Sequence, residues 1–210
     1  MSQARFITFE GVEGSGKSTQ IGLLRREFDR RGIPVLITRE PGGTTVGEEL
    51  RKVLMAPGSD IAPLAELLLM EAARAQHVAQ VLKPALESGE WVLCDRFADS
   101  STAYQGGGRN LGWPLVEDLN RVACQGLHPH RTVLLDLPVE EGLGRARRRP
   151  STSATNCRFE DELLAFHRRV ADAYQALAAR HPARILVVPA SGTPEEVHAR
   201  VLAALQGMWS

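Results

Sequence analysis

Gly11-Val12-Glu13-Gly14-Ser15-Gly16-Lys17-Ser18, followed by Thr19, fits the pattern G-x-x-x-x-G-K-[ST]. Glycines at these positions let successive backbone N–H groups turn inward around a polyphosphate. Lys17 can then reach its β- and γ-phosphates, and the Ser18 hydroxyl can hold Mg2+. The flanks support this reading. Arg5-Phe6-Ile7-Thr8-Phe9 is a short apolar, β-branched run that predicts a buried strand, and residues 20–31 carry Ile21, Leu24 and Phe28 at helical spacing. Strand, glycine loop and helix N-terminus together make an anion site, because first-turn N–H groups and the helix dipole both favour phosphate. The chain has three lysines against twenty-two arginines, so the lysine in the loop is not the by-product of a lysine-rich surface.

Outward from the loop, Ile33-Pro34-Val35-Leu36-Ile37-Thr38 predicts a second strand, and a helical crossover between two strands implies a parallel sheet. Further strands are expected at 91–95, 132–136 and 184–188. Helices are expected at 46–55, 64–82, 115–124, 160–180 and 194–205, the last with Thr193 as N-cap. Residues 96–110 read as a polar loop leading into a helix, with Gly106-Gly107-Gly108 as a breaker. There is no internal repeat or linker. Five strands alternating with helices predict a three-layer α/β fold, one domain over residues 1–210, with ligands at the C-terminal ends of the strands.

Lys plus Arg and Asp plus Glu both total 25, a formal net charge of zero, which argues against a nucleic acid backbone or an anionic membrane as the main partner. The first residues show no signal-peptide pattern, and no apolar run approaches a membrane span. Cys94, Cys124 and Cys157 lack metal-ligand spacing and read as reduced thiols of a cytoplasmic protein.

Asp95 and Arg96 end the third strand at the edge where the glycine loop sits. There an Asp can hold Mg2+ directly or through water, and an Arg can fork a phosphoryl group. Asp136 ends the fourth strand in the same form, and only its neighbours separate the two. Arg39, Arg51, Arg74 and Arg96 can converge beside the loop, which implies a second anionic ligand, an acceptor phosphate next to the donor's. The basic run Arg145-Ala146-Arg147-Arg148-Arg149-Pro150 and the Ser/Thr-rich residues after it read as an arginine-bearing lid, roughly residues 145–158, that closes over the transferring group. His77 reads as structural.

Four blocks resemble the bacterial thymidylate kinases: residues 9–19, Thr38-Arg39-Glu40-Pro41-Gly42-Gly43-Thr44, Ala73-Arg74-Ala75-Gln76-His77, and residues 95–106 from Asp95-Arg96-Phe97 to Tyr104-Gln105-Gly106. The resemblance implies a P-loop kinase that transfers the γ-phosphate of ATP to dTMP with Mg2+, in a cytoplasmic homodimer. It places Gly11 to Thr19 around ATP and Glu13 near the sugar 3′-hydroxyl. Arg39, Arg51 and Arg96 would hold the acceptor phosphate, with Arg96 also near the transferring group. Arg74, Ser100, Ser101 and Gln105 would read the thymine ring, and Tyr104 would pack by the deoxyribose. Lys17 and Arg96 would serve catalysis together with a lid arginine, Arg147, Arg148 or Arg149, since positions 12–15 carry no basic residue. Met70 stands where many relatives place a phenylalanine against thymine, which predicts a weaker acceptor site. The remaining readings are a monophosphate kinase for another base, a nucleotide-dependent switch, and a nucleic-acid-binding ATPase.

Overall fold

The computed structural model describes residues 4–148 and 158–209. Its centre is a parallel sheet of β1 (Phe6–Glu10), β2 (Val35–Arg39), β3 (Trp91–Asp95), β4 (Arg131–Asp136) and β5 (Ile185–Pro189), in the order β2-β3-β1-β4-β5. The strands lie within about two residues of the stretches predicted for them. β1 is central and wholly buried, and its alternating residues feed both faces. Ile7 and Phe9 pack with Leu24, Phe28, Trp91, Leu93, Val133, Val197 and Val201 on one side. Phe6 packs with Val78, Leu82, Val92, Cys94 and Phe97 on the other. The crossover from β1 runs toward β2 and the one from its neighbour β3 runs the other way to β4, so the C-terminal ends of these two adjacent strands form the switch point where ligands of such sheets bind.

Helices α1 (Lys17–Arg30) and α9 (Pro194–Ala204) cover the first face. The Thr193 hydroxyl accepts from Glu196 N–H while the Glu196 carboxylate accepts from Thr193 N–H, a reciprocal cap. Helices α2 (Thr45–Met55), α3 (Pro63–His77) and α6 (Trp113–Cys124) pack side by side. α3 continues through a π-turn at Val78–Leu82 into α4 (Lys83–Glu87), with Lys83 N–H donating to the Val78 carbonyl five residues back. The wider turn carries the helix past Pro84, which has no N–H to offer and whose ring crowds the normal ladder.

Two stretches depart from the sequence expectation. Residues 96–110 are not a loop: α5 (Ala98–Ser101) runs into a π-helical segment at Thr102–Gly108 that is almost entirely buried. Its glycines do not break the helix. A Cβ on Gly107 would lie 2.7 Å from the Ala173 Cβ, and one on Gly108 would lie 2.6 Å from the Phe166 ring. Hydrogen at those positions lets α8 (Leu164–Arg180) pack directly against the segment. The basic run beginning at Arg145 also starts inside a helix, α7 (Val139–Arg147), where Arg145 bonds Glu141 and the Ala190 carbonyl. The start of the expected lid is therefore part of the framework. Arg149 and residues 150–157, including Cys157, lie outside the described residues.

Candidate active site

The glycine loop leaves β1 at Gly11 and enters α1 at Lys17. Gly14 adopts φ +70°, and a Cβ there would stand 2.0 Å from the Gly142 carbonyl, so α7 holds the loop by direct backbone contact. Lys17 is buried, and its ammonium donates to the carbonyls of Gly11 (3.0 Å) and Val12 (3.1 Å) and to Ser15 Oγ (3.3 Å). Burial, reinforced by the Arg96 charge, brings its pKa down to about 8, against the pull of Asp95, Glu13 and Glu10. Ser18 and Thr19 are exposed on the first turn, and the Ser18 hydroxyl donates to Asp95 Oδ2 at 2.9 Å. The sheet register sets Asp95 opposite Phe9 of β1 and Arg39 of β2. Asp136, by contrast, accepts from Gln175. Asp95 is thus the strand-end carboxylate that belongs to the loop.

Arg96 links the loop to the segment after β3. Its guanidinium donates to the Gly11 carbonyl (3.2 Å), Glu13 Oε1 (2.9 Å), the hydroxyls of Tyr104 (2.9 Å) and Tyr174 (3.2 Å), and Ser100 Oγ (3.2 Å). It also lies over the Tyr104 ring, 4.7 Å from the centroid. Tyr104 in turn donates to Glu13 at 2.8 Å. Burial alone would raise the Glu13 pKa, but Arg96, Lys17 and the Tyr104 hydroxyl outweigh it and hold the carboxyl down at about 2. Beneath this lies Glu10, which the sequence reading overlooked. It accepts from Phe97 N–H, Ser100 Oγ and the Tyr174 hydroxyl. Burial, with Asp99 adding, lifts its pKa to about 7. An acid at the end of an apolar strand was the available signal, the same one that pointed to Asp95.

The other expected residues fall into separate groups. Arg74 is not at the phosphate edge. It is buried, paired with Glu40 (2.8 Å) and Glu71 (2.5 Å), and bonded to Ser101 (3.0 Å) and Asn120 (2.8 Å). His77 is structural, bridging Glu40 and Thr38. Gln105 is buried against Glu66. Half-buried Met70 packs beside the cluster that contains Tyr104, Phe159 and Phe166. Arg39 is exposed and forks Glu48, while Arg51 on α2 reaches the Pro41 carbonyl. Arg147 and Arg148 are exposed at the end of α7.

A glycine loop on the central strand of a parallel sheet, a buried lysine within it, a Ser–Asp pair of oxygens beside it and an arginine joining the loop to the segment after β3 define a P-loop phosphotransferase. The family model described as thymidylate kinase matches residues 9–201. A thymidylate kinase of Pelobacter propionicus is 51% identical, covering 94% of this chain and 92% of the relative. One of Trichlorobacter lovleyi is 53% identical over 91% and 92%. The crystal structure of thymidylate kinase from Ehrlichia chaffeensis superposes with a TM-score of 0.79 at 32% identity, over 97% of this chain and 99% of that one. The chain belongs to the thymidylate kinase family.

Proposed function

We propose how the family's reaction, transfer of the γ-phosphate of ATP to dTMP to give dTDP, is divided among the residues of this site. The Arg96 guanidinium carries the reading, since it bonds the donor loop at Gly11 and the acceptor segment at Ser100 and Tyr104 at once. Residues 11–19 cradle the ATP phosphates, and Lys17, released from the loop carbonyls, meets the β- and γ-phosphates. Arg96 bridges the acceptor phosphate and the transferring group, with Arg39 and Arg51 holding the acceptor phosphate from the β2 side. Glu13, ionised well below neutral pH, accepts from the sugar 3′-hydroxyl. Tyr104 packs by the deoxyribose, while Met70, Arg74, Ser100, Ser101 and Gln105 surround the base. The lid arginine is supplied from Arg147, Arg148 or Arg149. Phosphoryl transfer needs little covalent help, so placing these charges around a water-poor site is the main catalytic work.

Ser18 Oγ and the Asp95 carboxylate are adjacent hard oxygen donors and fit Mg2+. Among the described residues no group of three or more His, Cys, Asp and Glu forms a metal cage, as suits an ion held largely by nucleotide phosphates. Bound there, Mg2+ would offset phosphate charge.

The single sheet and the family match across residues 9–201 support one kinase domain over residues 1–210. Cys94 and Cys124 are buried free thiols, which supports a cytoplasmic location. Among the described residues no helix is long and apolar enough to cross a membrane. A homodimer is supported by exposed Val46, Val53, Leu64, Leu68, Leu115 and Val122, all on the packed helices α2, α3 and α6.

The test is ADP production with Mg·ATP and each of dTMP, dUMP, dGMP, dCMP and AMP. Turnover concentrated on dTMP, and reduced at least about a hundredfold by Lys17→Ala, is expected. Preference for another acceptor would move the substrate, and the absence of acceptor-dependent turnover would favour a switch.

A further inference from the structure

Glu66 had no role in the sequence reading. It lies on α3, fully buried, and takes donors from three other places in the chain. Gln105 Nε2 donates to its Oε1 at 2.7 Å. Arg109 reaches Oε2 through Nε (3.2 Å) and Nη2 (3.0 Å), with Nε also 3.3 Å from Oε1, and Arg158 Nη2 donates to Oε2, so three of the four guanidinium hydrogen bonds fall on that oxygen. The two arginines are themselves fixed. Arg109 lies 4.7 Å from the centroid of the Phe166 ring and pairs with Glu162, and Arg158 reaches the Leu54 carbonyl.

A carboxylate paired with two guanidinium groups has no proton to give and can only accept. Facing it, the Gln105 amide must turn its NH2 group inward. The end left for a ligand is the carbonyl oxygen, an acceptor. Such a group pairs with a ring N–H and opposes a bare ring nitrogen, and a buried site leaves such a mismatch uncompensated.

We propose that Glu66 is a positioning residue for base selection: it locks the Gln105 amide so that the carbonyl oxygen meets the acceptor base, favouring a pyrimidine with a protonated N3 over cytosine. This rests on Gln105 contacting the acceptor ring, as proposed above. The arginines complete the device and dictate what a substitution does. In Glu66→Gln, they draw the new amide's oxygen to their side and leave its NH2 facing Gln105. Gln105 must then reverse, presenting its own NH2 to the base.

The experiment is kcat/KM for dTMP, dUMP and dCMP in the full chain and in Glu66→Gln. The dTMP:dCMP ratio is expected to fall at least tenfold, and the dTMP:dUMP ratio to stay unchanged because both bases carry N3–H. A uniform loss on all three acceptors, with the dTMP:dCMP ratio intact, would overturn the proposal. Arg158→Lys loosens the same cluster without touching Gln105 and is expected to keep the ratio. An equal fall there would make the effect structural and also overturn it. Should Glu66→Gln not fold, the wild-type Gln105 side-chain amide, assigned by its loss in Gln105→Glu, gives the answer by NMR. Slow solvent exchange of both protons is expected, and rapid exchange and rotation would refute the lock. If Gln105→Ala leaves the dTMP:dCMP ratio unchanged, the reading of Gln105 itself fails, and the proposal with it.

Discussion

Arg96 adopts φ 72°, a left-handed conformation that costs a non-glycine residue about 1 kcal/mol or more. The strain is held in place by its bonds to Gly11, Glu13, Tyr104 and Tyr174, and it aims one guanidinium across both halves of the site. Glu10 below it makes a prediction about pH. Its folded pKa is raised from an ordinary value near 4.5 to about 7, so between those limits the unfolded chain gives up a proton that the folded chain keeps. Stability attributable to Glu10 therefore falls as pH rises from about 4.5 to 7 and is level above. Urea denaturation across that window should show the wild type losing stability relative to Glu10→Gln, whereas a constant difference would mean the carboxyl is not raised. Lys17 and Ser18 were legible as parts of the glycine loop, and Asp95 and Arg96 as the residues that close an apolar strand, patterns spelled out by neighbours in the chain. Glu10, Tyr174 and Glu66 were not, because what marks them is a partner distant in the chain, 87 and 90 residues away for Glu10, 164 for Tyr174 and 39 for Glu66.

At the scale of elements, the most instructive stretch is α5 with its π-helical continuation. Three consecutive glycines in water favour a turn, because glycine loses the most backbone entropy on entering a helix. Here the facing helix reverses that preference, since Ala173 and Phe166 occupy the space a Cβ would need. Gly107→Ala is expected to destabilise the protein by about 1–3 kcal/mol through overpacking, read from urea unfolding. It should also raise the KM for dTMP, because the same segment carries Tyr104 and Gln105. A variant as stable as wild type would show that the close approach is not needed. α7 was missed for a related reason. Its nine residues carry two arginines and two glycines, and they are held helical by contacts with the glycine loop and α8.

At the scale of the molecule, six of the nine large exposed hydrophobic residues among those described lie on α2, α3 and α6, and this concentration is what a self-association face would require. Leu68→Glu is expected to shift the particle from twice the chain mass to the chain mass in light scattering. If the wild type already runs at the chain mass, there is no dimer. The chain's sequence by itself determined the donor site, the parallel sheet and the family, because a glycine loop between a strand and a helix is a local device whose parts are adjacent in the chain. Only the tertiary structure decided that Arg74 is locked among Glu40, Glu71 and Asn120, that residues 98–108 are helical, and that Gln105 must face Glu66 with its NH2 group. Each of those depends on which distant group desolvates or pairs with a side chain, and that partner is chosen by packing rather than by sequence neighbours.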